Sequence, residues 1–432
     1  MSGDSPVSAR LKRAFPGIVV LFALAHGAHH LVTALPVPLL PFIRNEFGLD
    51  YAQAALVVSA FSVPYGIAQL PSGWLADKIG PRLLLLLATS GLATVALLVG
   101  VSTQYYVLLA LLVAVGLLGG GYHPSAPSVI ASATEPSRRG SAIGLHMFGG
   151  SIAHFVAPLA AAAVATSLGW RSSFLVLSIP ALAFGIVFYV FLGRRGLSKP
   201  PASPSSERNT TMAAARTDWR TVAVVLTMSS VGTAVILSAA SFCPLFLVDV
   251  HGYQAQHGAA AMSLLYSGGL WAAVIGGYLS DRIGRLKVIV AVALMSGPLL
   301  LLLGSGIGHV GVLATVVLLG GAFYGASPAA EVYLMANTPA SRRSTVLGLY
   351  YFGAMEGSGV LAPAVGYLID RFGFATAFVT SGIVMIVVAA TCVILLARWR
   401  HACQSARRQQ PLSSAGVMEP NKRGNRSADS EK

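Results

Sequence analysis

The sequence predicts an all-α membrane protein of twelve transmembrane helices, arranged as two pseudo-symmetric six-helix bundles. Composition is the first observation behind this. Hydrophobic residues make up 55% of the 432 and charged residues only 10%, too apolar for a soluble chain of this length. Distribution is the second: apolar runs of about 20 residues, long enough to cross a bilayer, recur from end to end. The third is an internal repeat. Gly73-Trp74-Leu75-Ala76-Asp77-Lys78-Ile79-Gly80-Pro81-Arg82 returns 204 residues later as Gly277-Tyr278-Leu279-Ser280-Asp281-Arg282-Ile283-Gly284-Arg285-Leu286-Lys287. The same offset relates Ser137-Arg138-Arg139 to Ser341-Arg342-Arg343, Gly144 to Gly348, Pro124 to Pro328 and Phe174 to Phe378.

Taken in order, the first span covers 15–41 and is longer than the apolar core of a signal peptide, so no cleaved leader is expected. Spans 53–72 and 83–102 flank the first copy of the repeated motif. Spans 105–130 and 141–165 are rich in small residues, and 171–193 ends on Arg194 and Arg195. The second half follows the same plan: 220–246, then 258–276 and 288–306 around the second motif, then 310–335, 344–368 and 375–397. The domain organisation expected is a cytoplasmic leader (1–14), an N-terminal bundle (15–193), a basic Pro/Ser-rich linker (194–219), a C-terminal bundle (220–397) and a polar, disordered tail (398–432). Loops are short, which leaves no room for a soluble catalytic domain.

Charge placement tests this topology independently. With the N-terminus in the cytoplasm, only Arg44, Arg171 and Arg371 of the 29 basic residues fall on the far side, and none falls inside a span. That asymmetry is the positive-inside pattern. It accounts for the net charge of +14 through topology and anionic lipid, so no nucleic-acid partner is implied. Cys243, Cys392 and Cys403 show no metal or redox spacing. No Gly-rich phosphate loop ending in Lys-Ser/Thr is present, so no ATP site and no cofactor are expected, and the chain does not read as an enzyme.

In the repeated motif, Gly73 and Gly80 suit close helix approach and a tight turn. Asp77 stands where a carboxylate can meet the positive end of the next helix, and Lys78 and Arg82 are placed to meet headgroups. Here the sequence resembles the major facilitator superfamily, whose loop between second and third helices reads G-x-L-x-D-x-x-G-R-[RK]; Pro81 departs from that pattern. The resemblance implies two six-helix bundles related by an axis along the membrane normal, with a substrate site near the midplane between them. It also implies a gating role for Gly73, Asp77, Lys78, Gly80 and Arg82, and for Gly277, Asp281, Arg282, Gly284 and Arg285 in the second copy. Many drug/proton antiporters of the superfamily carry G-x8-G-x3-G-P-x2-G-G in the fifth span. This chain has Gly144, Ala153, Ala157-Pro158 and Ala161-Ala162 at that spacing, and small residues there serve helix packing. Gly119 to Ser128, with its His123-Pro124 pair, and the placing of His26, Pro41 and Glu46-Phe47 resemble the fosmidomycin-resistance branch. His29-His30 and Ser125 depart from that branch.

Ionisable groups inside a membrane are costly unless they face a cavity or a partner, so they point to mechanism. The N-terminal half holds His26, His29, His30, His123, His146 and His154; the C-terminal half holds Glu331 and Glu356. His26, His29 and His30 share one face of the first helix, and Tyr324, Ser327 and Glu331 form a stripe on the tenth. In the superfamily the first, fourth, seventh and tenth helices line the central cavity, so both stripes are expected there, with Glu356 mid-span in the eleventh. His146, near a helix end, reads as a packing residue. Imidazoles and low-dielectric carboxylates can load and unload protons. No Lys or Arg is buried, which disfavours a strongly anionic cargo and suits a neutral, amphipathic or cationic one.

The function expected is proton-coupled efflux of a small organic compound by alternating access. The protein would act as a monomer in the bacterial inner membrane, with both termini cytoplasmic. Three alternatives stand beside it: proton-coupled uptake of a metabolite, carriage of a transition metal such as iron on the first-helix histidines, and a scaffold that keeps a transporter body. No resident metal site is assigned.

Overall fold

A computed structural model of the chain describes residues 17–135, 138–196, 218–339 and 342–408. The expected leader, most of the linker and residues 409–432 of the tail lie outside the described residues, as do the side chains of Asp77 and Glu356.

No break appears in the second span until residue 80, so helix continues through most of the repeated motif. The helices are α1 (Gly17–Thr33), α2 (Leu40–Phe47), α3 (Tyr51–Ile79), α4 (Pro81–Val99), α5 (Tyr105–Ser132), α6 (Arg139–Leu168) and α7 (Trp170–Arg194). After the linker come α8 (Trp219–Asp249), α9 (Ala255–Ile283), α10 (Arg285–Gly304), α11 (His309–Ala336), α12 (Arg343–Tyr351) and α13 (Gly357–Arg408). Among the described residues ten helical stretches are long and apolar enough to cross a membrane. One of them, Thr345–Trp399, is two spans merged at Gly373, whose φ of 80° interrupts the helix. With the short α1 the total is the expected twelve.

The repeat is structural as well as textual. α3, α4, α5 and α6 begin at residues 51, 81, 105 and 139; α9, α10, α11 and α12 begin 204 residues later, at 255, 285, 309 and 343. Even the irregularities correspond. The first span breaks after Thr33 and resumes at Leu40 with Pro41 in its first turn; the seventh pauses at Ser241 and resumes at Cys243 with Pro244 in its first turn. A proline there forgoes only an N–H that has no intrahelical partner.

Three sequence expectations need adjusting. The motif thought to be a loop is the C-terminal end of α3, and its only turn is Gly80 (φ 88°), mirrored by Gly284 (φ 101°) between α9 and α10. Pro81, the departure from the family pattern, opens α4 at its first position. The last helix runs on to Arg408, about ten residues into the segment expected to be tail.

Two seams join the halves: α6 packs along α9, and α3 packs along α13. A continuous apolar core crosses between them and includes Leu39, Leu40 and Ile43 from one half with Phe242, Leu245 and Phe246 from the other. A second, smaller core (Phe22, Ala25, Leu85, Ala88, Tyr122, Ala126) lies within the N-terminal half and supports the histidines. Outward faces stay apolar and uncovered, as lipid contact requires: Ile67, Val187, Val274 and Val387 are all at least half exposed.

Candidate functional site

Three helices bring six imidazoles into one cluster: His26, His29 and His30 from α1, His123 from α5, His146 and His154 from α6. Two glycines make this possible. A Cβ on Gly149 would sit 2.2 Å from the Ala23 carbonyl oxygen, and one on Gly150 would sit 2.5 Å from the His26 ring. Only glycine lets α1 approach α6 so closely. Gly144, the expected packing position, is exposed with open space around it; the close approach falls on the glycines five and six residues later. Ala153, Ala157 and Pro158 are buried in α6.

The rings form a contiguous stack. His26 lies parallel to His146 at 4.2 Å, 4.6 Å from His30 and 5.2 Å from His123. His30 is 4.0 Å from His154, and His29 stacks on Tyr122 at 4.7 Å. Backbone carbonyls only accept hydrogen bonds, so they assign tautomers. His26 Nδ1–H donates to the His146 carbonyl (2.9 Å), His146 Nδ1–H to the Phe22 carbonyl (3.0 Å) and His29 Nδ1–H to the Ala88 carbonyl (2.7 Å). His29 then accepts from the Tyr65 hydroxyl at Nε2 (2.9 Å), which satisfies it completely. His30 Nδ1 meets the Thr33 hydroxyl at 3.0 Å. Nε2 of His26 and Nε2 of His146 are buried with no protein hydrogen-bond partner. Unpartnered buried nitrogens are rare in folded proteins and call for an explanation. One ring nitrogen each from His26, His30 and His123 come within 4.8 Å of one another.

The opposite half faces this cluster with hydroxyls. Tyr266 of α9 lies 5.1 Å from the His154 ring, and Tyr324 of α11 packs over Gly268 and Gly269. Ser327 hydrogen-bonds with Tyr350 and Glu331 with Tyr351, which ties the stripe on α11 to α12. The Ser263 hydroxyl donates to the Phe155 carbonyl across the α6–α9 seam at 2.7 Å.

Further along the axis, at the end opposite Gly17 and Trp219, polar contacts close the halves together. Arg44 pairs with Asp249 at 2.6 Å, and the Tyr51 hydroxyl donates to the same carboxylate at 2.7 Å. Asp370 of α13 caps a helix of the other half: it accepts from the backbone N–H groups of Tyr51 (2.9 Å) and Ala52 (2.8 Å). Asp50 meanwhile caps the same helix from within its own half, accepting from the Gln53 N–H. Within the N-terminal half, Arg171 and Trp170 hold Glu46. Partial burial alone would raise the Glu46 carboxyl, but these hydrogen bonds and the Arg171 charge outweigh it and set it below its usual value of 4.5. Burial, with His309 adding to it, lowers His251 nearby.

The repeated motif occupies the other end. Lys78 and Asp281 are exposed there. Arg82 does not reach outward as expected; its Nε donates to the Tyr189 carbonyl (2.9 Å) and its guanidinium lies 3.7 Å over the Tyr189 ring, fastening α4 to α7. Gly73 and Gly277 have nothing near their Cβ directions, so neither makes a close approach. Arg282 sits over Tyr278, and Arg285 opens α10.

Of the expected site residues, the fold gathers His26, His29, His30 and His123 on one side and Tyr324, Ser327 and Glu331 on the other. His146 and His154 belong with the first group; reading His146 as packing missed its unpartnered nitrogen. Also missed were the closing roles of Arg44, Asp249 and Asp370 and the close approach at Gly149 and Gly150, whereas Tyr266 was one of several aromatic side chains the sequence offered for contacts. One signal was available: Arg44 and Arg171 are two of the three basic residues that break the positive-inside pattern, and each is held in an ion pair.

Comparison with known proteins agrees with this architecture. The chain is 26% identical over 357 residues to a Cupriavidus necator protein described as a probable sulfoacetate transporter, covering 77% of this chain and 82% of that protein. It is 27% identical over 371 residues to a multidrug resistance protein of Salmonella arizonae, covering 82% and 89%. In fold it resembles a POT family transporter crystallised with a thioalcohol-conjugated peptide, with a TM-score of 0.74 at 14% identity over 88% of this chain and 96% of that one. The family model described as Major Facilitator Superfamily matches residues 22–271 and 256–417, nearly all of both bundles. A duplicated six-helix plan, two seams and a central set of buried ionisable groups thus belong to a multi-pass membrane transporter, and the chain is a member of the Major Facilitator Superfamily.

Proposed function

We propose that this transporter is a proton-coupled carrier that moves a small organic compound outward across the inner membrane by alternating access. The observation that carries the reading is the cluster of six imidazoles, facing Tyr266 of the opposite half at the level where the bundles meet. Imidazoles can take up and release protons, and placed where the halves meet they can link protonation to the opening of a seam. His26, His29, His30 and His123 form the proton path with Glu331 and Glu356, and Tyr324 and Ser327 meet the cargo. The motif at the ends of α3 and α9, from Gly73 to Arg82 and from Gly277 to Arg285, gates the cytoplasmic side, with Asp77 and Asp281 as its carboxylates. The positive-inside pattern supports a cytoplasmic position for that motif and for both termini. The polar closure at the far end supports reading the arrangement as inward-facing, in a carrier that acts as a monomer. Outward direction is supported by the small-residue spacing of α6 and by similarity to a multidrug resistance protein.

A second reading, inward carriage of an organic acid, draws on similarity to a protein described as a sulfoacetate transporter; protonated imidazoles would hold its anionic group. Proteoliposomes with an imposed pH gradient decide between them. Efflux predicts that lipophilic cations or neutral amphiphiles dissipate the gradient in wild type, and that His30→Ala and Glu331→Gln reduce this at least tenfold. Dissipation by sulfonates or aromatic carboxylates alone moves the assignment to acid uptake. If no solute moves protons in wild type, the coupling mechanism is wrong.

A further inference from the structure

We propose that His26, His30 and His123 form a binding site for one divalent transition-metal ion of borderline softness, zinc(II) being the type ion. Three observations converge on it, none of which depends on the direction of transport. First, these side chains bring one ring nitrogen each to within 4.8 Å of the others. Ligands of a tetrahedral zinc at about 2.0 Å stand roughly 3.3 Å apart, so side-chain rotations of about 1 Å close the set. His26 and His30 are one helical turn apart on α1, and His123 enters from α5. Their rings converge at 48°, 84° and 38° rather than lying parallel.

Second, His26 is already prepared as a ligand. Its Nδ1–H is engaged by the His146 carbonyl, so in the neutral ring the remaining nitrogen, Nε2, presents a lone pair, and that atom is buried without a partner. A carbonyl fixing the far nitrogen of a ligating imidazole is the usual supporting contact in metal sites. At His30 the Thr33 hydroxyl meets Nδ1 and is able to accept from it, which leaves Nε2 for an ion. His29 is excluded, because both its nitrogens are taken by Ala88 and Tyr65. His146 is set apart too: its ring is stacked on His26 at 4.2 Å, and it is not one of the three whose nitrogens converge.

Third, the donor set selects the ion. Three imidazoles without thiolate suit zinc, copper, nickel or cobalt and disfavour calcium and magnesium, which take oxygen ligands. The trio carries no negative charge, so the ion needs an anionic fourth ligand in this low-dielectric setting. His123 and His154 are only half-buried, so the site is not sealed and a fourth ligand can reach it. Hydroxide, or a carboxylate on a solute, can fill that position.

The test is direct metal binding to the full-length protein in detergent. Zinc(II) is titrated calorimetrically, and cobalt(II) is added for its visible absorption, which is intense only in four-coordinate sites. The half-buried His251 and exposed His309 rings, 5.1 Å apart, are a competing surface site, so a His251→Ala/His309→Ala double variant is measured in parallel. The expected result is one equivalent of zinc bound by wild type and by the surface double variant, with intense cobalt bands. His30→Ala and His123→Ala should each weaken zinc at least tenfold. If those two variants do not fold, zinc-edge X-ray absorption on the surface double variant must show about three imidazole neighbours near 2.0 Å. Absence of stoichiometric zinc in wild type overturns the site. So does its loss in the surface double variant, or its full retention in His30→Ala and His123→Ala.

Discussion

Gly150 shows how much rests on a single missing methyl. Its backbone forms the floor under His26, and a Cβ there would lie 2.5 Å from the ring. Gly150→Ala is expected to force the imidazole aside at a cost of about 1–3 kcal/mol, the usual scale for overpacking. The measurement is thermal unfolding together with proton movement: both should fall, whereas Gly144→Ala, in a helix with open space around it, should leave the melting temperature unchanged or raise it slightly. Glu46 offers a second prediction at this scale. Its carboxyl is held below its usual value of 4.5 by Arg171 and Trp170. A depressed carboxylate adds stability above that value and loses it as pH falls through the lower folded-state value. The melting-temperature gap between wild type and Glu46→Gln should therefore be present at pH 7 and shrink as acid takes the pH below 4.5 and through the lower folded-state value. Because Glu46 is partly exposed, the gap should be small, within about 1 kcal/mol. An unchanged gap in acid would rule the ion pair out as its source.

Helix ends carry the next level of control. The first turn of α3 has orphan N–H groups that no intrahelical carbonyl can reach. Asp50 takes one and Asp370, from the other bundle, takes two. A cap supplied across a domain boundary links helix stability to domain closure. Asp370→Ala should cost the closed far end about 0.5–2 kcal/mol, which shifts an equilibrium roughly two- to thirtyfold. Spin labels at Tyr106 and Val310, equivalent and fully exposed positions of the two halves, report the distance across that end. The variant should show a longer distance population than wild type. If its distribution matches wild type, the cap does not control closure.

At the scale of the whole molecule, the two seams differ in what holds them. The α6–α9 seam has the Ser263–Phe155 hydrogen bond and Ser151 against Gly269. The α3–α13 seam has Ser59 donating to the Gly359 carbonyl at 2.6 Å, then the close approach of Gly366 to the Tyr51 carbonyl, where a Cβ would lie 2.6 Å away. Packed interfaces switch between discrete arrangements rather than deforming smoothly. Gly366→Leu should therefore wedge the far end open without unfolding either bundle. The same pair of spin labels should then report an open population larger than that of Asp370→Ala, with an unchanged circular dichroism spectrum. A variant that keeps the closed distance would show that the seam tolerates a side chain there.

How much of this was legible in the sequence follows from the range of each interaction. Span count, the 204-residue repeat and membership of the transporter superfamily depend on hydrophobic run length and local glycine chemistry, which are properties of neighbouring residues. The first-helix histidines were visible for the same reason, since positions 26, 29 and 30 share a helical face without help from any other element. The breaks at residues 34–39 and 241–242 were not read, because apolar run length alone does not register a pause inside a span. The cluster itself was decided by tertiary structure. Only the packing of α1 on α6 over Gly149 and Gly150 recruits His146 and His154 and leaves two nitrogens without partners. The closure at the far end was likewise beyond sequence reading, because Arg44 and Asp249 are 205 positions apart and Asp370 and Tyr51 are 319 apart. Hydrophobicity acts along the chain and is written there; hydrogen bonds between bundles depend on where the folded helices bring their ends.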